Sequence, residues 1–115
     1  MDKVVLFAFN GEPMCFVHAL LNALDLGAKG HEVKLVVEGS ATKLAPELDQ
    51  AQGPLGPLFE KVKQAGLLAG FCRACSHKMG VLAEVQRQGL PLLDDMQGHP
   101  SMAAFMDQGY TVITF

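Results

Sequence analysis

Charge is scarce in this chain: 18% of its 115 residues are charged, while 50% are hydrophobic. A chain this apolar does not stay disordered. The low charge also suits a globule that buries part of its surface against copies of itself, so a homo-oligomer is expected. Basic clusters are missing too. A net charge of −3 and an isoelectric point near 5.7 give no footprint for phosphate backbones, so no nucleic-acid partner is expected. Long apolar runs are lacking as well. The N-terminal one, Val4 to Phe9, lasts six residues before Asn10 and Gly11 interrupt it, too short for a spanning helix or a signal-peptide core. A cytoplasmic protein with no membrane partner is the expectation.

Other absences narrow the chemistry. No Gly-x-Gly-x-x-Gly or Walker pattern is present, which leaves only two glycine turns, Asn10-Gly11 and Gly39-Ser40, as weak anion cradles. The six methionines show no thioether-box spacing and read as core or interface filling. There is no internal repeat and no low-complexity linker, and the length fits one domain, residues 1–115. Cysteines number three. An odd count in a reducing compartment does not make a disulfide framework.

What is there is an alternation of strand-like and helix-like segments. Lys3 to Phe9 is the near-continuous apolar run of a strand buried on both faces. Asn10 or Gly11 then caps a helix with Pro13 in its first turn. Val17, Leu20, Leu21 and Leu24 recur at helical spacing, which predicts about four turns ending near Gly27. Glu32 to Val37 reads as a second strand, and Gly39 to Thr42 as a turn that opens a short helix. Ala45 to Pro57, with three prolines and two glycines, reads as a loop with at most one helical turn, able to serve as a mobile rim. A short helix around Leu58, Phe59 and Val62 closes at Gly66, and Leu67 to Phe71 forms a third strand that delivers the chain to Cys72. Gly80 divides the following helical pattern, Arg73 to Gln88, into two helices. Leu90 to Leu93 is a short extended piece, Ser101 caps a helix over Met102 to Gln108, and Tyr110 to Phe115 is a last strand. Such alternation predicts a three-layer α/β domain: a mainly parallel, doubly wound sheet of about five strands with helices on both faces.

The stretch AGFCRACSHKMG, residues 69–80, carries the chemistry. A cysteine after the third strand lies at the carboxyl edge of a parallel sheet, where open α/β folds bind ligands. A helix starting just beyond it would turn unpaired backbone N–H groups towards Cys72 and favour the thiolate. Arg73, His77 and Lys78 would add positive charge. Cys75, three residues on, offers a second thiol. A thioredoxin-like redox motif is disfavoured because the pair falls past the middle of the chain. A metal site through Cys72, Cys75 and His77, suited to zinc or copper(I), is the stronger alternative. Cys15, His18 or His99 would then complete it in space, although Cys15 and His18 read equally as a packed helix face with a solvated histidine. Two inert buried thiols in a structural oligomer are the third reading.

The opening KVVLFAFNGEP, the central GFCRACSHKMGV and the closing GHPSMAAFMDQGYTVITF resemble the DsrE/DsrF family of small sulfur-relay-like cytoplasmic proteins. In relay members a cysteine after a strand precedes a Gly-Val pair by about eight residues, and here Cys72 stands eight before Gly80-Val81. The resemblance implies a doubly wound sheet, trimers or hexamers, sulfur donor and acceptor proteins as partners, and sulfane sulfur carried as a persulfide on Cys72. It implies no cofactor. Cys75 and His77 depart from the single-cysteine pattern. Cys75 is expected to act as a resolving thiol, and both residues leave room for redox sensing or metal binding.

Overall fold

The computed structural model describes all of residues 1–115. Five strands form one sheet: β1 Lys3–Ala8, β2 Glu32–Val37, β3 Leu68–Cys72, β4 Leu92–Leu93 and β5 Thr111–Thr114. They lie in the order β4-β3-β2-β1-β5, every pair parallel. The interior position of β1 explains its continuous apolar run. Val5, Leu6 and Phe7 are all wholly buried because both faces of β1 are covered, so alternation has no role there.

Five α-helices connect the strands: α1 Pro13–Ala28, α2 Gly56–Gln64, α3 Arg73–Lys78, α4 Leu82–Arg87 and α5 Met102–Asp107. Strands β1 to β4 advance in one direction across the sheet, and right-handed crossovers therefore stack their helices on one face. Val4, Leu6 and Ala8 pack there with Phe16 and Leu20 of α1, Phe59 and Val62 of α2, and Val85 of α4. The return from β4 to β5 runs the opposite way across the sheet, so α5 lies on the other face. Val5, Phe7, Val36 and Tyr110 meet Met102 and Phe105 on that side. The expected three layers are present, but the second layer of helix is α5 alone, and none of its residues is fully buried.

Local chemistry accounts for most boundaries. Pro13 occupies the first turn of α1, where its missing N–H costs nothing. The residue that caps α1 is Glu12, not Asn10 or Gly11. Its N–H donates to Asn10 Oδ1 at 2.8 Å, so Asn10 shapes the turn from outside the helix. Gly80, at φ +75°, ends α3 in the left-handed conformation that glycine adopts most cheaply. Two short helices follow Cys72, as the sequence suggests.

The segment after β2 differs from the expectation. Gly39–Glu47 forms a 3-10 helix that buries Ala41, Thr42, Leu44 and Ala45, so regular structure extends past Ala45 and the irregular link shortens to residues 48–55. That link is pinned, since Leu48 and Leu55 are both buried. Three prolines and two glycines mask this in the sequence. Pro46 would break an α-helix interior, yet it sits near the end of this tighter one. No helix of the fold is long and apolar enough to cross a membrane.

Candidate functional site

Three adjacent strand ends build the site. In the parallel register Val37 of β2 pairs with Phe71 of β3, so the next residues, Glu38 and Cys72, leave the sheet side by side. Cys72 in turn pairs with Leu93 of β4, after which the chain doubles back through residues 94–99. Met96 N–H donates to the His99 carbonyl at 2.7 Å and His99 N–H donates to the Met96 carbonyl at 2.9 Å, closing a tight turn. Its inner residues, Gln97 at φ +53° and Gly98 at φ +88°, are left-handed, a conformation that costs a non-glycine residue about 1 kcal/mol. Ala74 N–H, at the start of α3, donates to the Gly98 carbonyl at 2.9 Å. This bond fixes the turn against the helix that begins at Cys72 and delivers His99 to the sulfur.

Cys72 is the N-cap of α3, and its Sγ accepts the Cys75 N–H at 3.3 Å. Its thiol also points at the Gly98 carbonyl, 3.8 Å away. His99 Nδ1 lies 3.1 Å from the Cys72 sulfur, 3.6 Å from the Cys75 sulfur and 3.5 Å from Glu38 Oε1. One donor atom from each of Glu38, Cys72, Cys75 and His99 falls within 4.8 Å of every other. All three cysteines of the chain are free thiols. Access to the cluster is one-sided: Cys72 is fully buried and Glu38 is 7% exposed, whereas Cys75 is half-buried and the His99 side chain is 39% exposed.

The resting charge of Cys72 corrects the expectation of a thiolate. Burial pushes this thiol up to about 12; the Cys75 N–H works against that, while the Cys75 sulfur and the Glu38 carboxylate add to it. Backbone dipoles do point at the sulfur, as the strand-to-helix junction predicts, but loss of water outweighs them. Burial likewise raises Glu38 above the ordinary carboxylate range, opposed by its contact with His99. The imidazole of His99 thus stands between the two thiols and the carboxyl group.

Arg73, His77 and Lys78, expected around the sulfur, are exposed and line a neighbouring open groove with Gly98. His77 stands outside the four-residue cluster, and the imidazole beside the thiols is that of His99. His99 is thus brought to the pair as one of the possible completing residues, whereas Cys15 and His18 remain on α1, half-buried and exposed, away from the cluster. Ser101 caps α5 as expected, accepting the Ala104 N–H at 3.1 Å. Glu38 is the participant that sequence reasoning missed. The available signal was an acidic residue directly after a buried strand, on the same sheet edge as Cys72.

The DsrE/DsrF-like family model matches residues 3–115. Among curated proteins, the chain is 38% identical over 97 residues to the uncharacterized protein MJ0733 of Methanocaldococcus jannaschii, covering 84% of this chain and 77% of that one. An uncharacterized protein of Archaeoglobus fulgidus is 40% identical over 53 residues, which is 46% of this chain and 84% of that one.

Proposed function

Because the chain belongs to the DsrE/DsrF-like family, we propose that it handles sulfane sulfur through its dithiol, holding a persulfide on Cys72 and releasing it with Cys75. The observation that carries this reading is the placement of Cys72 Sγ at a helix start, accepting one N–H, with an imidazole nitrogen 3.1 Å away and a second thiol within 4.8 Å.

The steps follow from that geometry. With its ring proton on Nε2, His99 accepts the Cys72 proton at Nδ1 as the sulfur attacks the outer sulfur of a donor persulfide. The donor's S–S bond breaks, a new S–S bond forms on Cys72, and the departing thiolate takes the proton from the imidazolium, which leaves His99 neutral for the discharge step. Glu38 beside the same nitrogen stabilises the imidazolium, and the Cys75 N–H stabilises negative charge on sulfur. Discharge reverses the direction of electron flow. The Cys75 thiol, giving its proton to the imidazole, attacks Cys72 Sγ and expels hydrosulfide to an acceptor, leaving a Cys72–Cys75 disulfide that a dithiol reductant reopens. Burial keeps the resting Cys72 protonated, so general-base assistance from His99 replaces a standing thiolate.

Intact-mass measurement after incubation with a persulfide donor tests the reading. Cys75→Ser is expected to retain one added sulfur atom, Cys72→Ser to gain none, and the wild type to accumulate the internal disulfide with release of sulfide. His99→Gln should slow loading by about 100-fold, the low end for loss of a general base. Sulfur that loads in Cys72→Ser and not in Cys75→Ser would overturn the assignment.

A further inference from the structure

Zinc is held by protein sites of sulfur, nitrogen and oxygen donors, with Zn–S distances near 2.3 Å and Zn–N distances near 2.0–2.1 Å. A tetrahedron of those bond lengths has edges of about 3.3–3.8 Å, simple geometry from the same distances. The His99 Nδ1 separations here are 3.1, 3.6 and 3.5 Å to the two sulfurs and the carboxylate oxygen. One donor atom from each of the four residues lies within 4.8 Å of every other, close enough for a single ion to gather them. From this juxtaposition we infer that Cys72, Cys75, His99 and Glu38 form a tetrahedral zinc site.

Four further observations support it. The donors come from three separate segments, so a sequence-local turn does not explain their meeting. Both the Cys72 thiol and the Glu38 carboxylate are buried, and of the nearby basic side chains Arg73, His77 and Lys78 are all exposed; a bound dication answers that acidic, desolvated pair. The Cys75 N–H already directed at Cys72 Sγ is the kind of outer contact that orients a ligating thiolate. The turn that carries His99 is closed by two backbone hydrogen bonds and held at α3 through Gly98, which fixes the imidazole before any ion arrives.

The donor set selects the ion. Two sulfurs and an imidazole disfavour magnesium and calcium, and the carboxylate makes the set harder than copper(I) prefers. Four protein ligands leave no open coordination position, which marks a closed site. Zinc entry displaces the two thiol protons to solvent, along with any proton on Glu38, and moves no electrons. Zinc and a persulfide would compete for the same sulfurs; that consequence rests on the sulfur-handling reading, whereas the metal site does not.

Cobalt(II) titration of the reduced, chelator-treated protein, followed by zinc competition, tests the inference. The expected result is saturation at one equivalent, with thiolate-to-cobalt charge-transfer absorption and the intense visible bands of tetrahedral cobalt, all abolished by zinc. Cys72→Ser and Cys75→Ser should lose the charge-transfer intensity. His99→Ala and Glu38→Gln should weaken binding by about tenfold or more, whereas His77→Ala should match the wild type. Alkylating the cysteines of the wild-type protein should remove the absorption in the same way, which covers the case of a serine variant that fails to fold. Absence of a one-equivalent, sulfur-ligated complex would overturn the site, as would weakening by His77→Ala with none by His99→Ala. Persulfide loading is measured on metal-free protein, so failure of the metal titration with loading intact removes this inference alone, and the reverse result removes only the sulfur reading.

Discussion

His99 Nδ1 lies 3.1 Å from the sulfur of Cys72, a residue 27 positions earlier in the chain. The contact exists because β3 and β4 end together and the turn after β4 folds back over the start of α3. Neither residue would meet the other without the parallel pairing of Cys72 with Leu93. The site is thus a property of the sheet edge.

Exposure orders the two thiols. Cys72 is wholly buried and Cys75 half-buried, so in a Cys15→Ser background alkylation of native protein at neutral pH is expected to modify Cys75 first. Cys72 should follow at least about tenfold more slowly, as reactivity tracks access to solvent. Peptide mass mapping of a time course checks the order, and equal rates would show that the site opens freely.

The β3–β4 edge should tolerate no side chain at Gly70. A Cβ there would lie 2.8 Å from the Pro91 carbonyl oxygen and 2.9 Å from Leu93 Cγ. Gly70→Ala must then push β4 away from β3, at a cost of about 1–3 kcal/mol for overpacking. Urea unfolding measures the loss. Because β4 leads into the His99 turn, the same variant should weaken whatever the thiol cluster binds.

Ser76 offers the opposite case. Its hydroxyl is fully buried and has no hydrogen-bond partner. Ser76→Ala removes an unsatisfied polar group and improves helix propensity within α3, so stability should stay level or rise by up to about 1 kcal/mol. A loss larger than that in a denaturant series would mean the hydroxyl has a partner.

Alkaline pH should loosen the second face of the sheet. The Tyr110 hydroxyl donates to the Glu32 carboxylate, which, with burial, lifts the phenol from 10.0 to about 12. The folded form therefore holds its proton more tightly than the unfolded chain. The associated stability is complete below pH 10 and is lost as pH rises from 10 towards 12. Tyr110→Phe should flatten that part of the stability profile and cost about 1 kcal/mol or less at neutral pH, since Glu32 is exposed and water screens the bond.

The fold was largely legible because its interior strands β1 and β2 are largely buried. Lys3 to Phe9 and Glu32 to Val37 read as strands and form β1 and β2, and the Gly80 break and the Ser101 cap acted as backbone chemistry says they should. The short helix opening at Gly39 to Thr42 was legible, but its continuation to Glu47 was not, because the prolines and glycines after Ala45 hide a 3-10 helix that buries Leu44 and Ala45 in the core. At the site, the Cys-x-x-Cys spacing led to the carboxyl edge of the sheet, where the two thiols lie close together. The identity of the partner imidazole was beyond local pattern: His77 is nearer in sequence, but α3 leaves it exposed, while the turn after β4 brings His99 across. Glu38 escaped notice for the same reason, since only strand register sets it beside Cys72. The charge of Cys72 was misjudged because a helix start can be read from sequence and the depth of desolvation cannot.

Strand β5 has a part beyond its four residues. It is the only neighbour on the outer side of β1, with Val4 paired to Thr111, so one flank of that interior strand is sealed by residues 111–114. Deleting residues 110–115 would bare a row of unpaired amides and carbonyls beside Phe7, an edge that another polypeptide could extend. Strand exchange or aggregation, visible by size-exclusion chromatography, is the expected behaviour of such a truncated chain.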